Sequence, residues 1–163
     1  MEDVSNINTQ INLIGFYGPL ILMFIVIFYL WNQKSYLTAY LFFYILNVFL
    51  NTLLKINIMQ DRPSNGRSIV DEHYNGYQKY GMPSTHAQTA AFSIMFLYLV
   101  KKSEKLLIIG IFLAILTLYQ RYTYNRHTLQ QLFIGTCIGA LIAFVGHNIT
   151  TRYLVTGKST RVL

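Results

Sequence analysis

The chain has 163 residues, of which 53% are hydrophobic and only 12% are charged. A soluble domain carries about 25% charged residues, so this composition excludes intrinsic disorder, a collagen-like fibre and a disulfide-stapled secreted module, and it indicates a membrane-embedded protein. A net charge of +7 would suggest nucleic acid as the partner of a soluble protein, but in a membrane protein it predicts basic cytoplasmic segments, and no nucleic-acid partner is expected.

Apolar segments of near-spanning length predict an all-α, polytopic membrane bundle of about five transmembrane helices. A single domain is expected over residues 1–163, with spans near residues 11–33, 35–57, 84–100, 106–122 and 128–147. Pro19 lies near the start of the first span, where a missing backbone N–H costs little. Gly135, Gly139 and Gly146 in the fifth span favour close contact between helices. Cys137, the only cysteine of the chain, is expected to be a small buried hydrophobic residue.

The segment between the second and third spans differs in kind from the rest of the chain. Residues 60–82 contain three glycines, a proline and a high density of charged residues. Because long loops in compact domains are usually functional, this polar segment is a candidate for part of a site. Pro83 follows it directly and suits the first position of the next helix.

The polar segments that separate the spans sort into two sets, one on each side of the membrane. The set formed by the Lys34 region, the 101–105 hairpin and the C-terminal tail carries seven basic residues and one acidic residue. The set formed by the N-terminus, residues 55–82 and residues 121–127 carries six basic and five acidic residues. The resulting net charges of +6 and +1 predict that the first set is cytoplasmic.

Three short polar motifs fall on the second side. They are K-x6-R-P from Lys55 to Arg62 and Pro63, P-S-T-H from Pro83 to His86, and R-x5-H from Arg121 to His127, followed by Gln131. Each motif alone has an ordinary explanation, as an interfacial lysine, a loop, a helix start or an interfacial histidine. Their joint occurrence on one side of the membrane indicates a single functional site.

The residue types of these motifs suit the binding of a phosphate group. Lys55, Arg62 and Arg121 are three cations beside a membrane, and arginine presents a planar fork that matches phosphate oxygens. Ser84 and Thr85 are expected at a helix start, where backbone N–H groups point outward and the helix dipole favours an anion.

Two histidines add reactive groups to the same set. His86 and His127, with an ordinary pKa of about 6.5, can act as a nucleophile, an acid or a base at neutral pH. Asp71, Glu72 and His73 are adjacent in sequence and point in different directions, so they are not expected to hold a metal ion. The pattern therefore predicts phosphoryl transfer without a metal or another cofactor.

In this order the motifs resemble the three-part signature of the type 2 phosphatidic acid phosphatase superfamily, which shares its site with vanadium haloperoxidases. The resemblance extends from Lys55 to Gln131, over about half of the chain. It implies a multi-helix membrane enzyme that acts on lipid phosphates or diphosphates. It further implies that Lys55, Arg62 and Arg121 hold the phosphate with help from Ser84 and neighbouring amides, that His127 attacks phosphorus, and that His86 protonates the leaving group.

Two residues depart from the usual third motif, S-R-x5-H-x3-D. Gln120 stands in place of the serine, and Gln131 in place of the aspartate that orients the nucleophile. Because Gln131 follows His127 by one helical turn, its carbonyl can accept the proton on Nδ1 and leave Nε2 free to attack. The dolichyldiphosphatase branch of the superfamily is similar at Gln131, since its third motif, R-x5-H-T-x2-Q, resembles residues 121–131, and its second motif resembles residues 81–88.

The resemblance thus implies a membrane enzyme that removes a phosphate from a polyprenyl diphosphate, dolichyl diphosphate in particular, through a phosphohistidine. The compartment implied is the endoplasmic reticulum with a lumenal site, or the periplasmic or exterior face in a bacterium. One alternative is a broader lipid phosphatase acting on phosphatidic acid or undecaprenyl diphosphate. The other is a non-catalytic membrane protein that binds lipid phosphates, for which Gln131 is the main support.

Overall fold

The computed structural model describes residues 2–67, 69 and 76–156, and it confirms the all-helical fold that the sequence predicts. Its long helices are α1 (Glu2–Leu30), α2 (Lys34–Ile58), α3 (Thr85–Lys101), α4 (Glu104–Thr123) and α5 (Leu129–Ile149). A 3₁₀ helix (Gly76–Lys79) lies between α2 and α3, and a π-helical segment (Thr150–Thr156) continues α5. Within the described ranges, one isolated β-bridge pairs Asp61 with Tyr80.

Helices α1, α2, α4 and α5 are long and apolar enough to cross a membrane. The candidate membrane spans are residues 8–30, 34–58, 104–123 and, with the π-helical segment, 129–154. Helix α3 has 17 residues and packs against each of the other four. Each of the five apolar segments therefore forms a helix, and the third lies at the centre of the bundle.

Helix α1 begins earlier than the first predicted span. It starts at Glu2, so Pro19 lies inside the helix rather than near its start, contrary to the prediction. The residues before Ile11 are polar but include no proline or glycine, and nothing in them stops a helix. The side-chain amide of Asn12 donates to the carbonyl of Asn8 one turn earlier, at 2.7 Å. A hydropathy pattern marks where a helix is apolar, and here the helix continues beyond that limit.

Glycines on α5 bring it into direct contact with α3 and α2, as predicted. A Cβ built on Gly135 would lie 2.7 Å from the Ser84 carbonyl oxygen, and one on Gly146 would lie 2.8 Å from the ring of Phe43. A Cβ on Gly139 would collide with the backbone carbonyl of Gln88. Since two of these neighbours are backbone atoms, the separation of α3 and α5 depends on the missing side chains.

Cys137 does not have the predicted burial. It lies on α5 between Gly135 and Gly139, but it faces outward and is exposed. Residues two apart on a helix point in different directions, so the small-residue face excludes it. The expectation followed from the apolar surroundings in sequence, which in a membrane helix extend to the outer face as well.

The apolar core lies toward the end of the bundle opposite the segments that carry the three motifs. It is formed by buried residues of α1, α2, α3 and α5, namely Val26, Leu30, Ala39, Tyr40, Phe43, Phe92, Phe96, Leu97 and Ala143. The Tyr40 hydroxyl lies 2.9 Å from the Ser93 hydroxyl, so the phenol keeps a hydrogen bond inside this core. This packed cluster joins α1, α2, α3 and α5 and so fixes the relative positions of the helix ends that carry the motifs.

We expect Gly139→Val to destabilise the protein, because the new side chain must push α5 away from the α3 backbone. The cost should be about 2 kcal/mol or more, at the upper part of the range for overpacked cores. Thermal unfolding in detergent, followed by circular dichroism, measures the effect. Cys137→Val, on the exposed face of the same helix, is the matched control and should unfold at the wild-type temperature. Equal unfolding temperatures for the two variants would contradict the close packing.

Candidate active site

A cavity of about 400 Å³ lies where α2 ends, α3 begins and α4 ends. Six of the eight site residues predicted from the sequence line it: Lys55, Arg62, Thr85, His86, Arg121 and His127. The other two, Ser84 and Gln131, are fully buried and do not line the cavity. Its remaining walls come from Val48, Asn51, Thr52, Tyr77 and Gln78. The fold therefore brings motifs that are up to 72 residues apart in sequence to one cavity.

Two of the cations also hold the polar segment that follows α2. Lys55 donates from Nζ to the carbonyl of Tyr80 at 3.0 Å. Arg62 donates from Nε to the carbonyl of Gln78 and from Nη1 to the carbonyl of Arg126, each at 3.0 Å. A lysine ammonium carries three N–H groups and an arginine guanidinium five, more than these contacts use, so the same side chains can both fix the cavity wall and bind an anion.

His127 is 2% exposed, and its two ring nitrogens have different partners. Nδ1 lies 3.2 Å from Oε1 of Gln131, and Nε2 lies 2.8 Å from Nη1 of Arg62. Because arginine can only donate, Nε2 must be the acceptor, which assigns the ring proton to Nδ1. This is the tautomer that the sequence predicts, with Nε2 as the nitrogen that faces the cavity.

The orientation of the Gln131 amide follows from its other partners. Nε2 donates to Oε1 of Gln60 at 3.0 Å and to the carbonyl of Asp61 at 2.9 Å. Oε1 accepts from the backbone N–H of Thr128 at 3.2 Å. A flipped amide would set acceptor against acceptor at the carbonyl of Asp61 and donor against donor at the N–H of Thr128, so these two backbone groups fix its orientation. Gly81 packs directly on this amide, and a Cβ there would collide with it.

Ser84 shapes the start of α3. It is the N-cap, its hydroxyl accepts from the N–H of Ala87 at 3.5 Å, and its own N–H donates to the carbonyl of Gln131 at 3.1 Å. Pro83 therefore precedes the cap. The prediction that Pro83 occupies the first helical position is wrong. A cap residue adopts an extended backbone conformation, as Ser84 does with φ −67° and ψ 119°.

A ladder of buried amides, which the sequence reasoning missed, supports the cavity from below. Asn51 accepts from the Thr85 hydroxyl at 2.7 Å and donates to Oε1 of Gln88 at 2.7 Å. Gln88 in turn donates to Oδ1 of Asn47 at 2.8 Å. Asn47, Asn51 and Lys55 recur at every fourth position of α2 and all are buried. Polar residues at helical spacing inside an apolar span are the signal that could have revealed the ladder.

The surroundings of His127 keep its ring neutral. Burial first, and then the positive charges of Arg62, Arg121, Lys55 and His86, lower the pKa of His127 well below its ordinary value of 6.5. A neutral imidazole has a free lone pair on Nε2, which a nucleophile requires. The electrostatics thus agree with a neutral ring, and the hydrogen bonds assign its one proton to Nδ1.

The donor chemistry of the cavity suits an anion. Its polar lining consists mainly of cationic side chains, ring nitrogens, hydroxyls and amides, which are the groups that bind phosphate oxygens. In the part of the chain that the structure describes, no group of three His, Cys, Asp or Glu side chains is placed to hold a metal ion. Asp71, Glu72 and His73 lie outside the described residues.

Comparisons with known proteins agree with this chemistry. The family model of the PAP2 superfamily matches residues 36–154. Dolichyldiphosphatase 1 from Dictyostelium discoideum is 33% identical over 110 residues, which are 61% of this chain and 45% of that protein. The chain therefore spans less than half the length of this curated relative.

A solved structure shares the fold. The crystal structure of the first transmembrane PAP2 type phosphatidylglycerolphosphate phosphatase from Bacillus subtilis superposes with a TM-score of 0.68. The match covers 93% of this chain and 79% of that chain at 20% sequence identity. At this identity the likeness establishes the helical architecture.

We expect His127 to remain neutral at pH 6.5, because its folded-state pKa lies well below that value. Histidine-selective ¹⁵N labelling and NMR in detergent should show the Nδ1–H tautomer, with His127→Ala identifying its signals. In the unfolded chain the pKa of this histidine is about 6.5, whereas in the folded protein it is well below that value. Acidification below pH 6.5 therefore protonates the unfolded chain first, and the free energy of unfolding should fall. A His127 ring that is half protonated at pH 6.5 or above would contradict the electrostatics of the site.

Proposed function

Because the chain belongs to the PAP2 superfamily, we propose that it is a membrane lipid phosphatase that removes the terminal phosphate of a polyprenyl diphosphate, with dolichyl diphosphate as the preferred substrate. The observation that carries the proposal is the single cavity that gathers three cations and two histidines, with Nε2 of a neutral His127 facing it. The name of the Dictyostelium relative supports the choice of a lipid diphosphate.

In the proposed reaction Nε2 of His127 attacks the terminal phosphorus in line with the leaving oxygen. The N–P bond forms as the P–O bond breaks, which yields a phosphohistidine and a lipid monophosphate. His86 gives a proton to the leaving oxygen and then takes one from the water that hydrolyses the phosphohistidine. Lys55, Arg62 and Arg121 stabilise the charge on the transferring phosphoryl group.

Arg62 has a second role in this scheme. In the resting site its Nη1 donates to Nε2 of His127, the atom that must attack. A phosphate oxygen carries more negative charge than a neutral ring nitrogen and is the stronger acceptor. Substrate binding therefore draws the guanidinium onto the phosphate and frees Nε2, so that the nucleophile becomes available as the substrate arrives.

His127→Ala should lower the turnover of dolichyl diphosphate by about a thousandfold or more, because it removes the nucleophile. Phosphate release from detergent micelles in the presence of EDTA, with and without vanadate, measures the activity. His147→Gln changes a histidine on α5 that does not line the cavity and should retain wild-type turnover.

The same assay separates the alternatives. Faster release from phosphatidic acid or undecaprenyl diphosphate would replace the proposed substrate and leave the chemistry intact. Binding of all three lipids with no release of phosphate would indicate a lipid-phosphate-binding protein. Full activity in His127→Ala would contradict the proposed mechanism, because the reaction would then need another nucleophile.

We also propose that the site faces the lumen of the endoplasmic reticulum. Three observations support this orientation: the charge difference between the two sets of polar segments, the common location of all three motifs on the less positive set, and the eukaryotic source of the dolichyldiphosphatase relative. The motif-bearing loops lie at one end of the bundle and the Lys101–Ser103 turn at the other.

A glycosylation sequon inserted between residues 64 and 67 should be modified in eukaryotic cells, because this loop is on the proposed lumenal side. A sequon inserted after Lys158 should remain unmodified. Mobility shifts that disappear on treatment with a glycosidase report both results. The opposite pattern would reverse the orientation without affecting the phosphatase chemistry.

A further inference from the structure

An aromatic side chain of α1 contacts two residues of the phosphate site. The guanidinium carbon of Arg121 lies 5.4 Å from the centre of the Phe16 ring. The His86 ring lies 5.7 Å from the same ring, at an angle of 46°. Phe16 is therefore within cation–π distance of Arg121, one of the three proposed phosphate-binding cations, and within aromatic-pair distance of His86, the proposed acid. Helix α1 ends at Leu30 and precedes the residues that the family model matches.

The position of Phe16 follows from close packing of α1 on α4. A Cβ on Gly15 would lie 2.8 Å from the Cβ of Gln120, and one on Gly18 would collide with the hydroxyl of Thr117. Two glycines three residues apart thus let the helices approach at the level of the site. Gln120 directly precedes Arg121 as Gly15 precedes Phe16, so the contact between the glycine and Gln120 brings the ring to the arginine.

Phe16 lies at a boundary between two cavities. An apolar cavity of about 280 Å³ lies between α1, α2 and α3, and it shares Val48, Thr85 and His86 with the phosphate cavity. Phe16 lines the apolar cavity and does not line the phosphate cavity. Its ring therefore forms part of the wall at the place where a lipid chain would meet its phosphate group.

We propose that Phe16 is a positioning residue that holds His86 and Arg121 at the boundary of the two cavities, and so aligns the acid with the oxygen that leaves on the lipid side. The role rests on the proposed function, because it presupposes a leaving group at His86. The ring supports Arg121 through its quadrupole and holds the tilt of the His86 ring as an aromatic pair. An aliphatic side chain of similar volume supplies neither of these two interactions.

Phe16→Leu should weaken vanadate binding about fivefold, the loss expected from one buried cation–π contact of about 1 kcal/mol. It should also lower kcat for dolichyl diphosphate about tenfold, because a misaligned acid loses part of its contribution. Phe16→Tyr keeps the ring and should retain both values. Phe28→Leu, on the exposed face of the same helix, is the matched control and should behave as wild type. Isothermal titration calorimetry with the full chain in detergent gives the vanadate constant.

Thermal unfolding of each variant separates positioning from a merely structural role. A lower unfolding temperature for Phe16→Leu with wild-type vanadate affinity and kcat would overturn the proposal. If that variant does not fold, Phe16→Met retains more flexible apolar volume and should show the same two losses. Wild-type protein that binds vanadate but releases no phosphate would refute the proposed hydrolysis and with it the alignment of the acid, whereas the vanadate comparison would still decide whether Phe16 supports Arg121. Wild-type protein that binds no vanadate would refute both.

Discussion

Burial of positive charge at one end of a membrane bundle is the constraint on which the site depends. Lys55 and Arg121 are 3% and 2% exposed, and removing a charge from water costs several kcal/mol unless other groups compensate. Backbone carbonyls of the 76–80 segment compensate in part by accepting from Lys55 and Arg62. An anion supplies what the carbonyls cannot, which is net negative charge. The cation-lined cavity therefore suits the binding of a phosphate, as the proposed function requires.

The same positive surroundings explain how a glutamine can replace the expected aspartate. A carboxylate beside His127 would favour its protonated form, whereas the amide of Gln131 fixes the tautomer and leaves the ring neutral. The amide also donates, to Gln60 and to the carbonyl of Asp61, which an ionised carboxylate cannot do. Gln131 thus contacts Nδ1 of His127 and connects the loop after α2 to the start of α5. In the proposed reaction, the positive charge that develops on His127 would be balanced by the phosphoryl group that it receives.

Much of this arrangement could be predicted from the sequence, because spacing and hydropathy determine which residues share a helix end. The helical fold and the placement of six site residues around one cavity follow from those patterns. The capping role of Ser84 and the position of Phe16 depend on contacts between helices, which no local pattern contains. The predicted burial of Cys137 and the predicted position of Pro19 near a helix start were wrong for a related reason. An apolar run does not show which face of the helix is buried or where the helix begins.

Close contacts at glycines determine how the helices that form the site are placed relative to one another. Gly135 brings α5 against the carbonyl of Ser84, and the N–H of the same serine donates to the carbonyl of Gln131. Gly81 leaves room for the Gln131 amide beside His127. The start of α3, which carries His86, and the start of α5, which carries Gln131, are therefore fixed to each other through backbone atoms. Because backbone atoms have fewer alternative positions than side-chain rotamers, this connection limits how far His86 can move relative to the pair formed by Gln131 and His127.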